Sequence, residues 1–534
     1  MDPVTLRTAH RGPDGEPSKH PDDGVAVKNT SGIARHNTIL TTVAACVVPI
    51  LYLFYINHYA VSALFGDEWN VIPIIHGSLH GHLSLSEIWS QYNETRVPLV
   101  RIILVAFAHL DRLDTRAVIF LNAAIFIVSY ALLLGLFRRY VNRPLTPIPV
   151  VIIGLVWFSL ANVQTSLWAF QVGWYLVVLS FVVMLLALFA PKGRRTLWLV
   201  VAVFVAVIAS MSFLQGFILW PLGAICILWR QSWSRRVSIE IASWIGATIV
   251  TATLYFATFN FSLTGCVPEL GCTPRAAYSH PLTAFHFLLI LIGNVIPGGY
   301  FGSSVKSLAR FEWLGASLLV SALFIAVQSW RHRISTEHVP LPLMLISFGL
   351  LFDVIIALGR TGEKLTVATY HNLFVIRTGV GLTGAINNNR YVLPNLILLT
   401  GIMMYAMRHL PRLCFPKAGD VSKNYITWVI IFGLAIFVVV QVRVAIGFGL
   451  QNARLDHTYI TDGARLAVNL DRLPIAQQTC ELVSFFIPPS DIRDASEDQL
   501  GEFRPNTYRY YRKLGLPPLS PSCSKAASNS KAAA

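Results

Sequence analysis

Residues 38–56 read TILTTVAACVVPILYLFYI, and a short step further on comes Phe65-Gly66-Asp67-Glu68-Trp69-Asn70. The first piece carries no charged side chain. As a helix it can cross the ~30 Å hydrocarbon core of a bilayer, which takes about 20 mainly apolar residues. The second piece places two adjacent carboxylates just past that crossing. A span followed at once by paired acids sets the terms for the rest of the chain.

Applied outward from there, the same length rule finds about eleven spans. They fall at 38–56, 115–137, 147–160, 173–190, 196–212, 217–229, 237–259, 311–330, 340–358, 391–407 and 425–446. Two further apolar pieces, 102–110 and 284–296, are too short to cross and are expected to be interfacial or re-entrant helices. The expected fold class is an all-α polytopic membrane protein, with interfacial helices in the first outside loop. Composition agrees: 13% of the 534 residues are charged and 54% hydrophobic, whereas a soluble domain carries roughly 25% charged residues. The mean hydropathy of +0.57 agrees too. Soluble enzymes, disordered chains and fibrous proteins are excluded.

The net charge of +15 would suggest nucleic acid in a soluble chain. Here its placement records topology, because Lys and Arg collect in cytoplasmic loops. With the N-terminus inside, the inside loops hold Arg138, Arg139 and Arg143; Lys192, Arg194 and Arg195; Arg230, Arg235 and Arg236; Arg331 and Arg333; and Arg408, Arg412, Lys417 and Lys423. The basic clusters between helices then share one side, and promoting either short piece to a span breaks the pattern. The odd span count leaves the C-terminus extracytoplasmic.

Residues 1–36 are polar and lack the apolar core and cleavage site of a signal peptide, so they are expected to be a disordered cytoplasmic tail. The first span acts as an uncleaved anchor. A transmembrane domain follows over 37–447, then a small extracytoplasmic segment over 448–520 and a low-complexity tail over 521–534. Seven cysteines make no dense disulfide scaffold. Cys266 with Cys272, and Cys480 with Cys523, fall outside, where pairs can oxidise.

Residues 196–229 carry basic groups at both ends, so they must go out and return. Two full spans need about 40 residues, more than are present. The turn Ser210-Met211-Ser212-Phe213-Leu214-Gln215-Gly216 must then lie below the outer surface. Irregular backbone at that depth is tolerated only inside protein or beside a water-filled cavity, so an outward-facing cavity is expected.

The conspicuous polar motifs lie on the same outer side. Asp67-Glu68 opens the first loop, which continues Trp89-Ser90-Gln91-Tyr92-Asn93-Glu94-Thr95-Arg96. The next outside turn holds Gln164, Trp168 and Gln171. The competing explanation for these is an interfacial anchor with an aromatic belt and solvated acids. Later, Arg360 and Arg390-Tyr391 flank a loop of about 30 residues, long enough to act as a functional lid. Two guanidinium groups at the membrane surface suit a phosphate through bidentate hydrogen bonds; snorkelling to lipid headgroups is the plainer role. His76, His80 and His82 form an H-x3-H-x-H pattern that matches no strong zinc motif. No metal site is assigned, although a divalent metal aiding phosphate departure is compatible with the layout. No Walker loop, dinucleotide fingerprint or nucleophile elbow is present. Chemistry outside the membrane would therefore draw on an energised, lipid-borne substrate such as a lipid-phosphate sugar.

This layout resembles the GT-C superfamily of integral-membrane glycosyltransferases, in particular the protein mannosyltransferases and the lipid A aminoarabinose transferases. The resemblance covers roughly 38–446. It rests on the acidic pair after the first span, the interfacial helix after Asn93-Glu94-Thr95-Arg96, the late outside loop from Gly359 to Arg390, and the extracytoplasmic C-terminal segment. It implies an inverting transfer of a sugar from a polyprenyl-phosphate donor to a lipid, polysaccharide or protein acceptor of the cell envelope. By position, Asp67 is the general base, with Glu68 second. Arg360, Arg390, Tyr391 and Arg96 are matched to the donor phosphate, with Arg96 also suited to the sugar. Glu94, Trp168, Gln171 and Gln215 are matched to the sugar and acceptor pocket. A bacterial inner membrane is the expected location, with the site facing the periplasm. Asn93-Glu94-Thr95 and Asn260-Phe261-Ser262 fit the N-glycosylation pattern, which also arises by chance.

Two other functions compete. A transporter or flippase of lipid-linked sugars would use ionisable groups within the membrane, for which Asp353 and Glu240 are the suspects. An O-antigen ligase or polymerase would rely on Arg and His, for which His371 and Arg377 stand in the late loop.

Overall fold

A chain in hydrocarbon must satisfy every backbone N–H and C=O from within its own segment, so long uncharged runs fold as helices. The computed structural model describes residues 26–142, 144–190, 194–229, 234–261, 278, 281–296, 305–331, 341–360, 391–414, 421–474, 477–478, 481–482 and 505–518. In chain order the helices are α1 (Ala26–Tyr59), α2 (Ile72–Leu79), α3 (Leu85–Trp89), α4 (Pro98–Asp111), α5 (Thr115–Val141), α6 (Pro147–Trp157), α7 (Val163–Ser166), α8 (Val172–Leu188) and α9 (Arg195–Ser212). There follow α10 (Leu219–Trp229), α11 (Arg235–Phe256), α12 (Pro281–Gly293), α13 (Val305–Arg331), α14 (Leu341–Arg360), α15 (Val392–Cys414), α16 (Val421–Val468) and α17 (Pro505–Leu514). One two-stranded hairpin, β1 (Gln91–Tyr92) and β2 (Thr95–Arg96), sits between α3 and α4.

Among the described residues, nine helices are long and apolar enough to cross a membrane. They account for nine of the expected spans. The other two, 217–229 and 391–407, lie in the shorter apolar helices Leu214–Trp229 and Val392–Arg408. Pro281–Gly293 is a third short apolar helix. It packs against α13 with almost no side chain between the backbones: a Cβ on Gly293 would strike the Phe311 carbonyl, and one on Gly315 the Leu289 carbonyl.

The last long helix differs from its expected extent. Instead of stopping at 446, α16 runs unbroken for 48 residues, about 72 Å at 1.5 Å per residue. That is more than twice the hydrocarbon thickness. Contacts beyond the span keep it helical: the ring of Tyr459 meets Phe65 at 6.1 Å, and His457 Nδ1 lies 3.2 Å from the Tyr59 carbonyl. Further along, Arg465 donates to the carbonyls of Leu514, Gly515 and Leu516, and Arg512 donates to Val468. These bonds fasten α17 to α16. Cys266, Cys272, Cys480 and Cys523 lie outside the described residues.

The basic helix ends gather at one end of the bundle. Arg408 stacks on the Tyr140 ring at 3.9 Å, joining α15 to α5. Arg195 pairs with Glu240 at 2.7 Å, joining α9 to α11. Trp229 meets Trp330 at 6.0 Å, joining α10 to α13. At the other end, Arg116 donates to Asn57, and Thr115 donates to the carbonyls of Val61 and Ala63. The alternation read from the basic clusters thus corresponds to a physical sorting of helix ends.

Candidate active site

A cavity of about 250 Å³ opens at the end opposite the basic clusters, near the lower limit of small-molecule sites, roughly 300 Å³. Six segments build it, one of them the end of α14 with Ile355, Ile356, Leu358 and Gly359. Asp67 comes from the first loop, Glu94 from the hairpin tip, Gln171 from the start of α8, Gln215 from the turn after α9, and Tyr391 from the start of α15.

The first loop places Asp67 through its neighbour. Gly66–Val71 forms a 3-10 turn, and successive residues of such a turn point different ways. Asp67 therefore faces the cavity while Glu68 points into protein, only 2% exposed. The Glu68 carboxylate accepts from the backbone N–H of Phe65 at 2.9 Å and of Phe170 at 3.0 Å. Burial pushes this carboxyl up to about 8, against the lowering effect of those two N–H groups. The indole of Trp168 donates to the Phe65 carbonyl at 3.0 Å. Gly66 lies beneath that indole with φ of 54°, where a Cβ would come within 2.9 Å of the ring. Left-handed backbone and close approach together require glycine there. Glu68 and Trp168 thus join the Asp67 loop to the Trp168–Gln171 turn, and neither lines the cavity.

The hairpin places Glu94. Its turn is Asn93-Glu94, with Asn93 left-handed at φ of 48°. Gln91 exchanges two bonds with the backbone of Asn260, at 2.9 and 2.7 Å. Arg96, 3% exposed, donates to the carbonyls of Trp89 and Ala257 and to the Thr258 hydroxyl. Its guanidinium lies 5.8 Å from the Trp89 and Phe259 rings. Arg96 is therefore committed to fastening the hairpin onto the end of α11 and is not brought to the cavity. Just downstream, Arg101 reaches back to donate to the last carbonyls around α3, at Glu87, Ile88 and Ser90.

The turn after α9 lies at the cavity, as its short length requires. Phe213, Leu214 and Gln215 form part of the wall. The return to α10 is tight because Gly216 packs directly on the Ala209 carbonyl, where no Cβ fits. The Leu214 N–H, which has no place in a helix, donates to the Thr95 hydroxyl at 3.1 Å. The Trp220 indole donates to Ser210 at 3.0 Å.

The late loop both leaves from and returns to this cavity, for Gly359 and Tyr391 lie in its wall. Arg360 is the last residue of α14, and its side chain is not described. Arg390, His371 and Arg377 lie outside the described residues. The ring of Tyr391 stacks on Trp174 at 6.2 Å and 20°. Tyr92 and Trp174 are cavity residues that the motifs did not single out. Trp174 stands three positions after Gln171, one helical turn away, which is the signal that could have found it. The rings of His76 and His80 meet at 4.2 Å, tilted by 44°, but among the described residues no three His, Cys, Asp or Glu side chains gather to hold a metal ion.

Two solved structures align with most of the chain. The apo structure of ArnT from Cupriavidus metallidurans shares 14% identity at a TM-score of 0.40, covering 83% of this chain and 81% of that one. The structure of the same protein bound to undecaprenyl phosphate shares 13% identity at a TM-score of 0.41, covering 82% and 81%. No protein-family model matches the chain, and no curated protein matches it.

Proposed function

We propose that this chain is an integral-membrane glycosyltransferase that moves a sugar from a polyprenyl-phosphate donor to a cell-envelope acceptor on the extracytoplasmic face. The observation that carries this reading is the meeting of Asp67, Glu94, Gln171, Gln215 and Tyr391 in one cavity. That cavity lies away from the basic helix ends, which mark the cytoplasmic side. Asp67 is the general base. It is the carboxylate of the acidic pair that reaches the cavity, whereas both oxygens of Glu68 are engaged by backbone. A base there takes the proton of an acceptor hydroxyl as that oxygen attacks the anomeric carbon in line. Configuration inverts and the polyprenyl phosphate departs.

Arg360 and Arg390 are assigned the growing negative charge on the leaving phosphate. Each is the chain neighbour of a cavity residue, Gly359 and Tyr391 respectively. Glu94, Gln171 and Gln215 offer hydrogen bonds to sugar hydroxyls, and the Trp174–Tyr391 pair offers a flat apolar surface. The site faces the periplasm of a bacterial inner membrane in this scheme. Purified protein incubated with undecaprenyl-phosphate sugars and envelope acceptors tests it by the appearance of glycosylated product. Asp67→Asn should lower transfer by about 10²–10⁴-fold with folding intact. Unchanged transfer removes Asp67 from the role of base.

One observation favours a second function. Asp353 is fully buried in α14, and neither carboxylate oxygen has a hydrogen-bond partner. A lone intramembrane carboxyl suits ion-coupled transport. Glu240, the other suspect, is occupied by Arg195. Flux of a lipid-linked sugar across proteoliposomes without covalent change, abolished in Asp353→Asn, would select transport over transfer.

A further inference from the structure

Tyr92 has no part in the scheme above, yet its hydroxyl makes the shortest hydrogen bond to the proposed base. The phenol donates to Asp67 Oδ1 at 2.6 Å, within the 2.5–2.7 Å range of charge-assisted O–H···O⁻ bonds. The Asn70 amide donates to the same phenol oxygen at 3.3 Å. Among the described residues the carboxylate is the acceptor for the phenol proton, since the amide nitrogen of Asn70 only donates. Asn70 occupies a lone pair of the phenol oxygen, so its O–H is directed at Asp67.

Tyr92 and Asp67 reach each other from separately fastened elements. Tyr92 lies in β1, paired across from Thr95 and tied to Asn260 through Gln91. Its ring rests against Phe170 at 5.8 Å. Asp67 lies in the turn clamped by Glu68, and that clamp also holds the backbone of Phe170. The two side chains are thus referred to one common anchor, which fixes the direction of the Asp67 carboxylate plane.

We infer that Tyr92 is a positioning residue for Asp67, holding Oδ1 so that Oδ2 is presented to the acceptor hydroxyl. The Tyr92–Asp67 bond fixes the orientation from which a proton is taken, as an orienting partner does for a catalytic base in general. This inference rests on the reading of Asp67 as base, and the test separates the two.

The experiment is steady-state transfer kinetics of the full-length protein in lipid nanodiscs, with an undecaprenyl-phosphate sugar as donor and an envelope acceptor. In Tyr92→Phe kcat should fall by about 10–100-fold with the donor KM unchanged, the pattern of a misaimed catalytic group. In an Asp67→Asn background the same change should cost nothing further, whereas a purely structural role would cost the same in both backgrounds. Asn70→Leu leaves the phenol in place and removes only its orienting amide. It should lower kcat in the same way by less, and it serves as the test should Tyr92→Phe fail to fold. An unchanged kcat in a folded variant, or an undiminished loss in the Asp67→Asn background, overturns the inference. If Asp67→Asn itself leaves transfer intact, the assignment of Asp67 as base is what fails.

Discussion

The clearest energetic consequence of this fold concerns Glu68, and the perturbation that reads it is Glu68→Gln. In the folded protein this carboxyl is held at about 8, against an ordinary value of 4.5, chiefly because burial penalises its charged form. At about 1.36 kcal/mol per pH unit the gap is worth on the order of 5 kcal/mol. Folding here raises proton affinity, so the folded state binds more protons than the unfolded one between these two values. The associated stability is fully present below about pH 4.5 and is lost as the pH rises through about 8. Glutamine has nearly the same shape but never ionises, and its amide nitrogen cannot accept a hydrogen bond as either oxygen of the acid can. It can keep one of the two bonds to the N–H groups of Phe65 and Phe170, and losing the other costs about 1–3 kcal/mol. The wild type should therefore be the more stable protein near pH 5. The order should reverse near pH 9, where only the wild type carries a buried charge. Melting temperatures from intrinsic tryptophan fluorescence in detergent, taken across that pH range, measure the crossing. Parallel curves for the two proteins would refute the claim that the buried carboxyl titrates with folding.

Further outcomes follow from other contacts. Gly315→Leu should separate α12 from α13, because the Leu289 carbonyl already occupies the Cβ position; the loss is about 1–3 kcal/mol, read as a lowered melting temperature. Arg195→Met leaves the Glu240 carboxylate with only the exposed Arg236, at 3.6 Å, and should cost about 1–3 kcal/mol, while Arg195→Met combined with Glu240→Met should recover most of it. Equal destabilisation in the single and double variants would mean that the pair matters only through packing. Trp168→Phe removes the bond to the Phe65 carbonyl and should lower stability by about 1 kcal/mol. Because it loosens the Asp67 loop, it should also lower transfer more than it lowers stability.

Which side chains reach the cavity is where sequence and structure part. Gln171 and Gln215 stand in motifs that could be singled out as polar groups in apolar surroundings, and both lie in its wall. Trp168 and Arg96 stood out for the same reason, yet they hold backbone carbonyls instead. Spacing alone does not separate these cases. A polar residue at the end of a span has two ways to satisfy its hydrogen bonds, a ligand or a neighbouring backbone, and only the packed neighbour decides. Asp67 and Glu68 make the point most sharply: adjacent in sequence, one faces the cavity and the other is sealed behind it. The turn after α9 was more legible, because too few residues were available to cross twice and length alone kept it below the surface.

The sequence by itself determined the helical class, most of the spans and the sorting of helix ends. These follow from local quantities: the length of an apolar run against the thickness of hydrocarbon, the need of each segment to satisfy its own backbone, and the placement of basic residues. Only the tertiary structure decided the unbroken course of α16 past its span, the near contact of backbones at Gly293 and Gly315, and the Tyr92–Asp67 bond. Each depends on residues brought together from distant segments. Helices in a membrane form one at a time from local hydrogen bonds, but a cavity exists only once several of them have packed.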